Sequence, residues 1–374
     1  MRIAFLTDIA TPYMVAVLDA LSHSAELTAV FCAHTGTRGM DWRVQLPFDH
    51  QVVDGLTIRR RTRDATDYYL SPRIVQALHR AHPQSVISGG FSIPSLYAAI
   101  YCRTRRIPLL IHSDGTAASE ASISAAQLAT RRLLRRVAWG AVANSEPAAR
   151  RLIEIGFDPG RVHRAPHSAQ LSPLWQVADT RPDGACSATS ETPLRLLSVG
   201  RLIARKGHEA LLRAVSQARR QGAEVELTVV GTGPQEQRLR ALAAELGVPV
   251  RWRGFVDQPE LPAVYAAADA FAFPTLAGDP FGIVVLEAAA AGLALIASPR
   301  GGATEDLIVD GVNGLIVDPA DTAAMAAAVA RLAGDPQLRR SLGRAASAAT
   351  RDRTPAACAG GYLEAVRAAI GAGA

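Results

Sequence analysis

Residues 268–292 read ADAFAFPTLAGDPFGIVVLEAAAAG. The mostly apolar run 268–273 has the length and composition of a buried parallel strand, and Pro274 ends it. Gly278, Asp279 and Pro280 keep the next stretch irregular, Gly282 opens a run of good helix formers to Ala291, and Gly292 supplies the stop. The pattern predicts strand, turn and helix, with the helix N-terminus pointing out of the strand's carboxyl end. The unpaired amides near Gly282, Ile283 and Val284, with the positive end of the helix dipole, suit a phosphate. Two carboxylates frame them. Asp279 precedes the helix, and Glu287 lies about one and a half turns inside it on an otherwise apolar run. Both are placed to accept hydrogen bonds from sugar hydroxyls. A helix-capping Asp279 and a solvated Glu287 are the alternatives that the local sequence leaves open.

The same alternation extends in both directions. Strand-like runs at 194–199, 225–230, 250–253, 294–297 and 314–317 are interleaved with helical spacing at 207–220, 234–246 and 261–267. Upstream, runs at 2–7, 27–32, 57–59, 85–88, 109–112 and 140–143 are mostly separated by helical stretches at 71–80, 94–106, 123–139 and 146–155. This is a βαβ succession, so the fold class is α/β with two doubly wound, Rossmann-like parallel sheets. The expected division is an N-terminal domain over 1–168, a Ser-, Thr-, Pro- and Asp-rich linker over 169–193, and a C-terminal domain over 194–350. A final helix at 351–374, with a break at Gly360-Gly361, is expected to pack back toward the N-terminal domain. Residues 38–48 interrupt the alternation and read as an acceptor-side loop. Asp8 to Tyr13 form the loop at the carboxyl end of the first strand, where ligands gather in parallel sheets.

Four cysteines, Cys32, Cys102, Cys186 and Cys358, stand apart without any CxxC pair, which points away from a disulfide framework or a zinc site and toward a reducing cytoplasm. Asp8 interrupts the N-terminal apolar run, so it reads as strand, loop and helix instead of a secretion signal. No uncharged apolar run approaches the roughly 20 residues that span a bilayer. The formal net charge of +6 is unevenly placed: residues 1–168 hold 20 arginines against 13 carboxylates, and the remainder is close to balance. The arginine clusters at 59–63, 103–106 and 131–136 suit peripheral contact with an anionic membrane at its inner face, or an acidic acceptor; solvated faces are the plainer explanation. Aromatic residues are not interleaved with them as base stacking requires, so nucleic acid is not an expected partner.

The chemistry is expected at the strands' carboxyl ends. After 194–199 comes Gly200-Arg201-Leu202-Ile203-Ala204-Arg205-Lys206-Gly207, a basic turn into a helix and therefore an anion site. Lys206 is the only lysine among 40 basic residues. A chain that otherwise uses arginine keeps a compact, mobile point donor here, as a phosphate oxygen requires, unless the lysine is a chance retention. Residues 229–236, VVGTGPQE, fall short of a dinucleotide fingerprint because Glu236 takes the last glycine position; they read as a tight strand-to-helix turn with Gly231 near a ligand. His112 ends the run 109–112, placed either to orient a sugar hydroxyl or to sit buried and satisfied. No DxD stands beside a strand end, so no metal is expected, and charge on a leaving diphosphate falls to Arg201, Lys206 and helix amides.

Taken together, GRLIARKG at 200–207, VVGTGP at 229–234, PTLAGDPFGIVVLEAAAAG at 274–292 and GGATEDLIVDGVNGLIVDP at 301–319 resemble family 4 of the retaining glycosyltransferases (glycosyl transferases group 1), of GT-B fold. The resemblance implies two domains facing across a cleft that holds the site. It implies that Arg201 and Lys206 grip the nucleotide diphosphate, that Glu287 holds the ribose hydroxyls, and that Asp279, where relatives usually carry Glu, contacts the transferred sugar. His112 matches the family's histidine near the donor sugar. The expected substrate-binding set is Gly200, Arg201, Lys206, Gly231, Asp279, Phe281, Gly282, Ile283, Val284 and Glu287, to which the position of the first loop at a strand's carboxyl end adds Asp8 and Tyr13. The expected activity is retaining transfer of a sugar from a UDP- or GDP-sugar to the hydroxyl of a lipid-linked, glycan or small-molecule acceptor, with no cofactor beyond the nucleotide-sugar donor. The first loop, Asp8-Ile9-Ala10-Thr11-Pro12-Tyr13, departs from the paired glycines of many relatives. A nucleotide-sugar epimerase of the same fold and a catalytically silent nucleotide-sugar-binding protein are the rival readings.

Overall fold

The computed structural model describes residues 1–33, 44–60, 66–181 and 193–372. Residues 38–43 of the expected acceptor-side loop, Arg61, Arg63, and residues 182–192 with Cys186 lie outside that set. The chain divides into two compact units, Met1–Gln170 with Arg353–Ala374, and Leu171–Asp352.

The first unit runs β1 (Arg2–Thr7), α1 (Pro12–Ser22), β2 (Glu26–Phe31), β3 (His50–Val52), β4 (Leu56–Arg60), β5 (Thr66–Leu70), α2 (Arg73–Ala81), β6 (Ser85–Gly89), α3 (Ile93–Arg105), β7 (Leu109–Ser113), α4 (Ala125–Val137), β8 (Gly140–Ala143), α5 (Glu146–Glu154) and β9 (Val162–Arg164). Seven of these strands form one parallel sheet in the order β3-β2-β1-β6-β7-β8-β9. Helices cover both faces, so the strands read as near-continuous apolar runs. Alternation sends Ala4, Leu6, Val86 and Ile111 toward α2, α3, α4 and α5, while Ile3, Phe5, Ile87 and Leu110 face α1 and the C-terminal helix.

The second unit runs α6 (Ser172–Asp179), β10 (Leu194–Val199), α7 (His208–Arg220), β11 (Val225–Val230), α8 (Glu236–Glu245), β12 (Val250–Gly254), α9 (Leu261–Ala266), β13 (Ala270–Phe273), α10 (Ile283–Ala290), β14 (Ala294–Ala297), α11 (Gly302–Leu307), β15 (Leu315–Ile316), α12 (Thr322–Gly334) and α13 (Pro336–Ala348). Its six strands form a parallel sheet in the order β12-β11-β10-β13-β14-β15. The last helix, α14 (Pro355–Gly371), belongs to the first unit.

Three expectations need correction. The run 57–59 does not join the parallel succession: β4 pairs antiparallel with β5, which the sequence pattern did not single out, in a separate two-stranded sheet. The stretch read as linker contains α6, because its few apolar residues find partners in the second unit. Leu174 is buried and Trp175 Nε1 donates to Thr350 Oγ1 at 2.9 Å. Finally, α14 has no break at Gly360-Gly361. The helix runs through both glycines, and Gly361 lets it lie against Arg164, where a Cβ would collide with the carbonyl oxygen.

Topology places the ligand side of each sheet. In the second unit β10 lies between β11 and β13, so the chain leaves it in one direction and returns on the other side. The loops after β10 and β13 therefore emerge side by side at the switch point, the usual ligand crevice of an open α/β sheet. In the first unit β1 and β6 stand in the same relation.

Candidate active site

The loop after β10 is held from below by glycines. Gly231 adopts φ +130°, and a Cβ there would strike the Gly200 carbonyl; a Cβ on Gly233 would strike that of Leu202. The VVGTGP turn thus lets the basic loop settle on it, and the Leu202 amide donates to Thr232 O at 2.9 Å. Gly207, at φ +73°, allows equally close approach to the Pro274 carbonyl. The basic loop is then sewn to the loop after β13, since Arg205 O accepts from the Leu276 amide at 2.8 Å and from Thr275 Oγ1 at 3.1 Å.

Those contacts bring together side chains about 73 residues apart in sequence. Lys206 Nζ donates to Asp279 Oδ2, Arg205 Nη1 lies 3.7 Å from the same oxygen, and the lysine ammonium stands 5.5 Å above the Phe273 ring. Asp279 is buried and fixed by its backbone as well, its amide donating to Arg300 O and its carbonyl accepting from Gly302. The helix-capping alternative is set aside. The N-cap of α10 is Gly282 at φ +89°, with no side-chain cap, and the Asp279 carboxylate faces the cations. A Cβ on Gly282 would lie 2.7 Å from Phe273 Cζ, so the tight packing of this turn requires glycine. Gly282, Ile283 and Val284 at the open end of the helix, like Gly200, Arg201 and Gly231, are half-buried, and the Phe281 ring is buried.

Glu287 is 6% exposed and not solvated. Its Oε2 accepts from Tyr265 Oη at 2.8 Å. Burial pushes its pKa up to about 7, against the opposing hydrogen bonds of Tyr265 and Gln258. A buried carboxyl with this poise exchanges a proton near neutrality and takes hydroxyl hydrogen bonds when ionised. Among the described residues no three His, Cys, Asp or Glu side chains gather into a metal-binding group.

In the first unit a cavity of about 390 Å³ opens at the carboxyl ends of β1, β6, β7 and β8. It brings together Asp8 and Tyr13 with His112, and adds Asp114, Asn144, His167 and Tyr362. His112 is half-buried and its Nδ1 lies 2.9 Å from Tyr362 Oη; desolvation pushes its pKa down to about 4, so the ring is neutral at physiological pH. Tyr362 is fully buried and packs edge-on against Phe5 at 5.3 Å. The Tyr13 and His167 rings lie 5.2 Å apart, tilted to each other.

The sequence did not single out Arg205, Tyr265, Asp114, Asn144, His167 and Tyr362. Arg205 and Asp114 were within reach, the first next to Lys206 in a loop already read as an anion site and the second two residues past His112. The others carry no local signal, since Tyr265 meets Glu287 across 22 positions and Tyr362 meets His112 across 250.

Residues 185–349 match glycosyl transferases group 1. The matched segment holds Arg201, Lys206, Asp279 and Glu287. The chain is 38% identical over 157 residues to the GDP-mannose-dependent alpha-(1-6)-phosphatidylinositol monomannoside mannosyltransferase of Mycolicibacterium smegmatis, covering 40% of this chain and 41% of that protein. It is 34% identical over 245 residues to the D-inositol 3-phosphate glycosyltransferase of Nocardia farcinica, covering 61% of this chain and 52% of that one. The chain thus spans about half the length of these curated relatives. Among solved structures, Anabaena Alr3699/HepE in complex with UDP superposes with a TM-score of 0.78 at 21% identity, over 98% of this chain and 100% of the other. The likeness therefore extends through both α/β units, and the fold is GT-B.

Proposed function

We propose that the chain is a retaining, metal-independent glycosyltransferase that moves a sugar from a UDP- or GDP-sugar to an acceptor hydroxyl. The observation that supports this most is the convergence of Lys206 and Arg205 on Asp279 beside the open N-terminus of α10, with Glu287 buried farther along that helix. A diphosphate seated there meets Arg201, Lys206 and the amides of Ile283 and Val284, and Glu287 receives the ribose hydroxyls. Asp279 holds the transferred sugar, its negative charge balanced by the two cations. In unit 1, Asp8, Tyr13 and His112 border the acceptor-side cavity, and neutral His112 exchanges a hydrogen bond with a sugar hydroxyl.

In the transfer step the bond from the anomeric carbon to the diphosphate oxygen breaks, and its electron pair leaves with the phosphate. The acceptor oxygen bonds to that carbon from the same face, and its proton passes to the departing phosphate oxygen. Configuration is retained and no enzymic nucleophile is consumed. Positive charge on Arg201 and Lys206 supplies the stabilisation that the leaving group needs. The named relatives use GDP-mannose and a phosphatidylinositol monomannoside, or D-inositol 3-phosphate. They favour glycolipid or cell-surface glycan biosynthesis over natural-product biosynthesis, and the same proposal places the protein in the cytoplasm or at the inner face of the membrane.

The test is a thermal-shift screen of UDP- and GDP-sugars, followed by product analysis with donor alone and with acceptors. Stabilisation by one donor and slow release of free sugar, accelerated by an acceptor, are the expected results. A new nucleotide sugar from donor alone identifies an epimerase, and binding without turnover across acceptors identifies a silent binding protein; either ends the proposal.

A further inference from the structure

His208 opens α7 directly after Gly207, and unit 2 encloses it: the residue is 4% exposed. Both ring nitrogens are buried without a hydrogen-bond partner. Native structures rarely leave a polar side chain in this state, because the lost hydration is not replaced. Burial and the nearby Lys206 ammonium push the ring's pKa down to about 4, so it is neutral and carries one N–H and one lone pair. Among the described residues none makes a hydrogen bond to either of them.

Gly200 shows where a partner fits. Its φ lies outside the left-handed region, and a Cβ built on it would find nothing nearer than His208 Cε1 at 3.9 Å and Lys206 Cδ at 4.0 Å. The protein itself has no need of glycine at this position, unlike Gly207 and Gly231, whose added Cβ atoms would strike backbone. The missing side chain leaves room for a methyl group within van der Waals reach of the lysine stem and of His208 Cε1, the carbon between the two ring nitrogens.

We propose that His208 is a further ligand of the nucleoside diphosphate, donating its N–H to a phosphate oxygen that lies over Gly200 beside Lys206. The inference rests on the donor-binding reading of unit 2. The unliganded protein then keeps an unsatisfied group that only the anion satisfies, at the cost of its own stability.

Replacing His208 with Leu removes the polar ring and keeps an apolar side chain. The full-length H208L protein is expected to melt at a higher temperature than the wild type without ligand, and to bind UDP or GDP at least tenfold more weakly by calorimetry. H208N and H208Q restore a donor near one or the other ring nitrogen, and one of them should recover most of the affinity. In the wild type, the imidazole 15N resonances that H208N removes should move on titration with the nucleoside diphosphate. Wild-type affinity in H208L, or unmoved His208 resonances at saturation, would overturn the inference while leaving the donor site intact. Failure of the wild type to bind either nucleotide would instead remove the donor-binding reading and this inference with it.

Discussion

Asp279 and Lys206 illustrate how much depends on single side chains. The lysine's mobile ammonium reaches a buried carboxylate that a second cation, Arg205, also approaches, so each group is partly neutralised before any donor arrives. Lys206→Ala should leave the fold intact and reduce transfer on the order of 10²-fold or more, equivalent to about 2.7 kcal/mol of transition-state stabilisation. Steady-state kinetics on purified protein check this, and near-normal turnover would remove Lys206 from the mechanism. Asp279→Asn should lower transfer more than it lowers nucleotide affinity, as comparison of kcat with calorimetric Kd would reveal. Glu287 carries a pH prediction whose sign follows from its raised pKa. Between about 4.5 and about 7 the folded protein retains a proton that the unfolded chain has lost, so Glu287 lowers stability as pH rises through that window and has no effect below it. Denaturant unfolding from pH 4 to pH 8 should show this slope, flattened in Glu287→Gln. Ribose hydroxyls favour the ionised form, so donor binding near neutrality should release a proton, seen as a buffer-dependent binding enthalpy.

At the scale of elements, the site depends on close backbone approaches more than on long side-chain reach. Gly207 carries positive φ and touches the Pro274 carbonyl, which is how the β10 loop and the β13 loop come to share Asp279. Gly207→Ala should cost about 2 kcal/mol or more in denaturant unfolding, since it adds both a strained φ and a collision. It should weaken nucleotide binding in the same protein, because Lys206 moves with the loop. Helix α14 acts similarly in unit 1, where Gly361 admits it against Arg164 and Tyr362 reaches His112. Tyr362→Phe should lower unfolding free energy by about 1 kcal/mol through loss of that hydrogen bond, leaving far-ultraviolet circular dichroism unchanged.

For the whole molecule, charge is the property that can be tested directly. No helix among the described residues is long and apolar enough to cross a membrane. The first 168 residues nonetheless carry seven more arginines than carboxylates. If this excess serves peripheral association, the protein should sediment with phosphatidylglycerol vesicles at low ionic strength and come free near 0.5 M salt, where charge is screened within a few ångströms. Equal binding to neutral phosphatidylcholine vesicles, or no binding at all, would confine the arginines to ordinary solvated faces.

Local pattern alone determined the alternation of apolar runs and helical spacing, and with it the two parallel sheets. It also marked Lys206, through its solitary use, and the strand-turn-helix of 268–292, because proline, glycine and helix formers act within a few residues of one another. Asp279 and Glu287 were visible as carboxylates out of place, but their state was not. Only the tertiary structure decided that Asp279 faces Lys206 and Arg205 instead of capping α10, and that Glu287 is dry and bound to Tyr265. The same holds for α6, whose polar composition read as linker until Trp175 found Thr350. The physical reason is common to these cases. Periodicity reports which face of an element is apolar, whereas burial of a charge, the hydrogen bond that stabilises it and the carbonyl a glycine must approach come from chain segments that meet only when the sheet assembles.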